Sequence, residues 1–187
     1  MKVRDVPDWM ALNIHHQKEG IAMAQRFSAD DVFDIAEKIE TNGGRFYRHA
    51  AELVEDKNAK DMLNKLAIME DDHKAFFGGL REKLKRPDAE PWTIDPSGEA
   101  ARYLQALADG SVFDVDREIP EQLRTAPSVE DIILLAIGFE KDAIVFFVGM
   151  KNSVPEWLGK GEIDNLIKEE QRHIVILTSA LKAHRLQ

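Results

Sequence analysis

The chain has no cysteine among its 187 residues. Disulfides, zinc fingers, iron–sulfur clusters, rubredoxin-type sites and thiol catalysis are thereby excluded. Long apolar runs are missing too. The longest, such as Ile132–Ile137, reach only 6 residues, far short of the ~18 that suggest a membrane span. Positive charge is in the minority: 25 Lys and Arg against 34 Asp and Glu, a formal net charge of −9. That balance weighs against nucleic acid and anionic membrane surfaces as partners. The short basic cluster between Arg81 and Arg86 reads instead as a helix C-terminus, where the dipole favours cations. Residues 1–10 include Asp5, Pro7 and Asp8 and hold no apolar stretch of the signal-peptide kind. With no cysteine, these features fit a cytoplasmic protein.

Proline is scarce outside one region. Five of the 7 prolines fall between Pro87 and Pro127, so long helices are expected on either side of that stretch. Ser28 and Asp31 form a variant capping box that opens a helix to about Glu55. Phe33, Ala36, Glu40, Gly44, Tyr47 and Ala51 share one of its faces. Asp56 or Asn58 caps a second helix, with Leu63, Leu66, Glu70, His73, Phe77, Leu80 and Leu84 inward. So short a break makes the two antiparallel neighbours. Residues 87–127 read as a crossover with a short helix from about Gly98 to Ala108. Ser128 and Asp131 open a third long helix, to about Lys151, with Ile133, Ile137, Glu140, Ile144 and Phe147 on one face. After Pro155 and Gly161 a fourth runs from about Glu162 to His184, its inner face Ile163, Leu166, Glu170, His173, Leu177 and Leu181. Residues 28–187 are thus expected to form one all-α four-helix bundle, ferritin-like in its long crossover between helices 2 and 3. Residues 1–27, with Trp9, Met10, Leu12, Ile14, Ile21 and Met23, are expected to add a docked short helix.

The two helical pairs repeat at an offset of 100. Ser28, Asp31, Ala36, Glu40, Phe46, Glu70 and His73 fall on Ser128, Asp131, Ala136, Glu140, Phe146, Glu170 and His173. Apolar periodicity recurs in any bundle. A repeated Glu, followed 30 residues later by a repeated Glu-x-x-His, need not.

Glu and His at i and i+3 share a helix face. Here that face is otherwise leucine and phenylalanine, where an uncompensated carboxylate costs several kcal/mol. Two hairpins around one core collect four such carboxylates, which repel one another. Two divalent cations balance their charge, and two imidazoles complete the coordination. Oxygen and nitrogen ligands without sulfur suit iron or manganese and tolerate zinc. The expected metal ligands are Glu40, Glu70, His73, Glu140, Glu170 and His173, with Glu70 and Glu170 bridging and Glu40 and Glu140 terminal.

The constellation matches the one known for ferritin-like carboxylate proteins. The segments Glu40-Thr-Asn-Gly-Gly-Arg-Phe46-Tyr47, Glu70-Asp-Asp-His73, Glu140-Lys-Asp-Ala-Ile-Val-Phe146-Phe147 and Glu170-Gln-Arg-His173 together resemble the rubrerythrin-like family. So does Tyr103-Leu-Gln-Ala-Leu-Ala-Asp-Gly110 in the crossover. The resemblance spans roughly Ser28 to His184. It implies two iron ions and an oxidoreductase acting on dioxygen or peroxide. It also implies a homodimer. The alternatives are a ferrous-iron oxidising or iron-handling protein, and a bundle that keeps a non-catalytic metal site. The chain departs from the family in two respects. With no cysteine it has no rubredoxin domain, so electrons would come from an external donor. Where rubrerythrins place an extra carboxylate one turn after the third-helix Glu, it has Ala143, repeated as Gly43.

Other polar and aromatic residues carry weaker expectations. Glu37, whose repeat mate is Ile137, reads as a solvated side chain or one that supports a ligand from behind, rather than as a spare ligand. Tyr47, repeated as Phe147, could direct its hydroxyl at a ligand carboxylate or towards solvent. His15, His16, His49 and His184 read as exposed or structural. Gly43 and Gly44 read as space for close packing near the metals, and Trp92 and Trp157 as plugs at the bundle ends.

Overall fold

The computed structural model describes residues 29–85, 99–110 and 128–186. Its helices are α1 (Ala29–Leu53), α2 (Lys57–Leu84), α3 (Glu99–Gly110), α4 (Val129–Ser153) and α5 (Lys160–Arg185). No strand occurs among the described residues. The proposed docked helix in residues 1–27, Ser28 as a cap, and Trp92 lie outside the described residues.

Helix boundaries follow local chemistry. Asp56 caps α2, its side chain accepting from the Ala59 backbone N–H at 2.7 Å. Ser128 opens α4 with a full capping box. Its hydroxyl oxygen accepts from the Asp131 N–H at 3.1 Å, while Asp131 accepts from the Ser128 N–H at 3.0 Å. Two donors that the helix itself cannot satisfy are thereby paired. A 3-10 turn (Glu156–Leu158) and Gly159, at φ 104°, reverse the chain into α5. That φ lies in the left-handed region that glycine adopts without steric penalty. At this end the buried residue is Leu158, not Trp157, which stays 41% exposed. The smaller side chain fits between the helix ends, and the indole turns outward.

Ion pairs show how the helices run. Arg81, late in α2, binds Asp30 and Asp34 at the start of α1. Lys151, late in α4, reaches Asp164 early in α5 at 2.7 Å. Arg185 at the end of α5 reaches Glu130 at the start of α4. Both hairpins are therefore antiparallel, each packed along its own length. They join through aromatic contacts: Phe77 on α2 with Phe147 on α4, centroids 5.0 Å apart, and Phe46 on α1 edge-on to Phe139 on α4 at 4.7 Å. Side chains of this size contribute roughly 1.5–3 kcal/mol each on full burial. In the crossover, α3 seats Leu104 fully buried against α4. A Cβ at Gly149 would lie 2.7 Å from the Tyr103 ring, so glycine permits that approach. None of the described helices is long and apolar enough to cross a membrane.

Candidate metal centre

Each of the four long helices brings one or two polar side chains into this apolar interior. Glu40 comes from α1, Glu70 and His73 from α2, Glu140 from α4, and Glu170 and His173 from α5. All six are buried, at 4% exposure or less. The helical period puts them there, since Glu40 shares the inner face with Phe33, Ala36 and Tyr47, and Glu70 and His73 lie between Leu66 and Phe77. The six residues singled out in the sequence are thus brought together in one place.

They form two overlapping groups. Glu40, Glu70, His73 and Glu170 can each point one donor atom at a common space, those atoms lying within 4.8 Å of one another. Glu70, Glu140, Glu170 and His173 do the same. Glu70 and Glu170 belong to both groups, Glu40 and Glu140 to one each.

Both imidazoles turn Nδ1 towards the carboxylates. His73 Nδ1 lies 2.7 Å from Glu170 Oε1 and 3.7 Å from Glu40 Oε2. His173 Nδ1 lies 3.0 Å from Glu170 Oε2 and 3.3 Å from both Glu70 Oε1 and Glu140 Oε1. The two rings are nearly parallel, 5.5 Å apart. Close approach does not make these contacts hydrogen bonds. Seven buried side-chain atoms lack a hydrogen-bond partner: Glu40 Oε1, Glu70 Oε1, both oxygens of Glu170, His73 Nδ1, and both nitrogens of His173. Buried polar atoms are normally paired, so a cluster of lone-pair atoms converging without donors fits cations.

The electrostatics agree. Burial, the largest cause, pushes Glu40, Glu70 and Glu140 well above the usual carboxylate range, and repulsion among the carboxylates adds to it. Glu170 goes the other way. Burial opposes its charge, but contacts with His173 and His73 hold it at about 2. The imidazoles are also displaced. Burial disfavours their charged form, yet Glu170 and its neighbours carry His73 up to about 9, and Glu140, Glu170 and Glu70 carry His173 up to about 12.

Two further residues complete the surroundings. The Tyr47 hydroxyl donates to Glu140 Oε1, crossing from α1 to α4, so of its two readings the contact with a carboxylate holds. Glu169 accepts from His73 Nε2 at 3.1 Å. Sequence reasoning missed it, because an exposed-face Glu beside Glu170 looks like any solvated charge. Glu37 stays out of both groups, 3.8 Å from Arg81. His49 is near Glu52 at the surface, and His184 is exposed.

A small, mostly apolar cavity abuts the carboxylates. Ile39, Gly43, Phe46, Tyr47, Glu70, Phe139, Glu140 and Ala143 line it, and its size is about that of a single water molecule. The small residues at 43 and 143 keep it open. A Cβ on Gly43 would lie 3.0 Å from Glu70 Oε2.

No protein-family profile and no curated protein matches the chain. Solved structures do. A candidate ferritin-like diiron-carboxylate protein from Thermotoga maritima is 18% identical, with a TM-score of 0.57, over 83% of this chain and 95% of that one. A hypothetical protein from Pyrococcus furiosus is 21% identical, with a TM-score of 0.58, over 84% and 90%. These likenesses establish a ferritin-like fold.

Proposed function

We propose that the chain is a di-iron carboxylate protein of rubrerythrin-like type, an oxidoreductase that uses dioxygen or peroxide and external electrons. The observation that carries this reading is the buried set of four carboxylates and two imidazoles with seven unpaired atoms. The diiron-carboxylate description of the Thermotoga maritima protein supports it, as do the rubrerythrin-like segments of the sequence.

The residues have distinct tasks. Glu70 and Glu170 would be shared between two ions, and Glu40 with His73 and Glu140 with His173 would hold one each. Four carboxylates against two divalent cations make a neutral centre, which a dry core tolerates. The bound metals would supply one-electron redox chemistry and a Lewis-acidic place for the oxidant. Tyr47 fixes the orientation of Glu140 through its hydroxyl. Ile39, Phe46 and Phe139 give the adjoining cavity apolar walls, and Gly43 and Ala143 add little bulk on the side where a small oxidant would approach. In this reading the electrons come from an external donor. The family resemblance further implies a homodimer, which light scattering measures directly.

The test is metal content followed by turnover. Protein isolated without added metal should contain two irons per chain. After anaerobic reduction, and on admission of dioxygen or peroxide, it should then consume that oxidant with a reductant over many cycles. One-time oxidation of ferrous ion without reductant-driven turnover would instead identify an iron-handling protein. Metal that never changes redox state would identify a structural site.

A further inference from the structure

The two halves of the centre repeat in their ligands but not in what surrounds them. His73 Nε2 has a carboxylate acceptor, Glu169 Oε2 at 3.1 Å. Its counterpart, His173 Nε2, is buried with no partner among the described residues. The repeat explains the difference: the residue at the position equivalent to Glu169 is Met69, which has no carboxylate. A second difference lies on the carboxylate side. Glu140 Oε1 accepts the Tyr47 hydroxyl, whereas Glu40 Oε1 has no donor. Here the mate of Tyr47 is Phe147.

Both differences act in one direction. A carboxylate on the far nitrogen of an imidazole fixes its tautomer, aims the other nitrogen at the cation and makes it a better donor. Glu169 does this for His73 only. Its other oxygen lies 3.9 Å from Arg172, and its side chain is 42% exposed, so the carboxylate sits at the wet edge of the bundle. A hydroxyl donating to a ligand carboxylate draws charge away from the cation. Tyr47 does this to Glu140 only.

We propose that the two cation positions are unequal, and that the one built on Glu40 and His73 binds more tightly and fills first. Glu169 and Tyr47 are positioning residues, the first strengthening that position and the second weakening the one built on Glu140 and His173. This rests on the two-metal reading given above.

The test is a calorimetric titration of metal-free protein with ferrous ion under argon. Wild type should show two resolved steps. Glu169→Ala should weaken the tighter step by about ten- to a hundredfold and leave the weaker step alone. Glu169→Gln, which keeps an acceptor oxygen but not the charge, should fall between. Tyr47→Phe should strengthen the weaker step, and Met69→Glu should do the same by supplying His173 with the missing acceptor. The metal-free Glu169 variants should still fold, with a cooperative melting transition and wild-type helix content, which separates weakened binding from misfolding. Two ions bound with equal affinity, or a Glu169→Ala variant whose two steps are unchanged or weakened alike, would overturn the inference and leave the two-metal reading standing. Absence of ferrous binding to wild type would overturn that reading and this inference with it.

Discussion

At the scale of single residues, the space around the carboxylates decides what the centre can hold. Gly43 sits in the interior of α1, where glycine costs roughly 1 kcal/mol relative to alanine. A methyl there would meet Glu70 Oε2 at 3.0 Å. Gly43→Ala should therefore leave metal-free stability no lower than wild type while weakening metal binding, because the displaced carboxylate is one proposed to be shared between the two ions. Thermal melts with and without ferrous ion check both halves of that expectation. Ala143 faces the same cavity from α4. Ala143→Glu adds a carboxylate beside Glu70 and Glu140, where rubrerythrins carry one. Peroxide turnover with a fixed external reductant should rise in that variant. Unchanged turnover, with the new carboxylate seen on a metal, would refute a role for that position.

At the scale of helices, caps and ion pairs set the register that places the ligands. The capping box at Ser128 fixes where α4 begins, and with it the turn on which Glu140 points inward. Ser128→Ala removes an acceptor for the Asp131 N–H. The expected loss is a melting temperature lower by about 2–4 °C, from the usual cost of a lost cap in a chain of this size. Circular dichroism measures it. Asp56 and the 3-10 turn ending at Gly159 close the two hairpins in different ways. The repeat therefore holds in the ligand-bearing faces and not in the turns. Turns have only to reverse the chain, whereas the faces have to meet at one point.

At the scale of the whole molecule, the centre links stability to pH and to metal. Glu40, Glu70 and Glu140 have folded pKa values raised above the ordinary carboxylate value, and so do His73, at about 9, and His173, at about 12, relative to free imidazole. A group with a raised folded pKa holds its proton better folded than unfolded. Its contribution is fully present below the unfolded pKa and is lost as pH rises through the folded one. The metal-free protein should therefore melt at a lower temperature at pH 8.5 than at pH 6. Glu170, held at about 2, has the opposite sign, but its stabilisation is lost only in strong acid, outside this window. Ferrous ion competes with the same protons, so metal affinity should rise over the range where metal-free stability falls. Melting curves at the two pH values, with and without metal, test this. Indifference to verified metal removal at pH 7 would mean that the carboxylates are not a repelling buried cluster.

The sequence by itself determined the helices, the inward faces and the identity of the six convergent side chains. Those follow from the 3.6-residue period, from caps such as Ser128, and from polar residues recurring at core positions 100 residues apart, all of which are local or arithmetic properties of the chain. Only the tertiary structure decided which groups share neighbours. Glu70 and Glu170 each supply a donor atom to both four-residue groups, and their helices α2 and α5 pack against one another. The direction of the Tyr47 hydroxyl, the outward turn of Trp157 and the contact of Glu169 with His73 depend on how helices distant in sequence are rotated against one another. No periodicity within a single helix records that rotation. It is set by packing the side chains of all four helices into one core, as when Phe77 meets Phe147 and Phe46 meets Phe139. The sequence repeat makes the two halves look equivalent. Packing brings Glu169 to one histidine and, among the described residues, leaves the other without an acceptor, since Met69 offers none where the repeat calls for one.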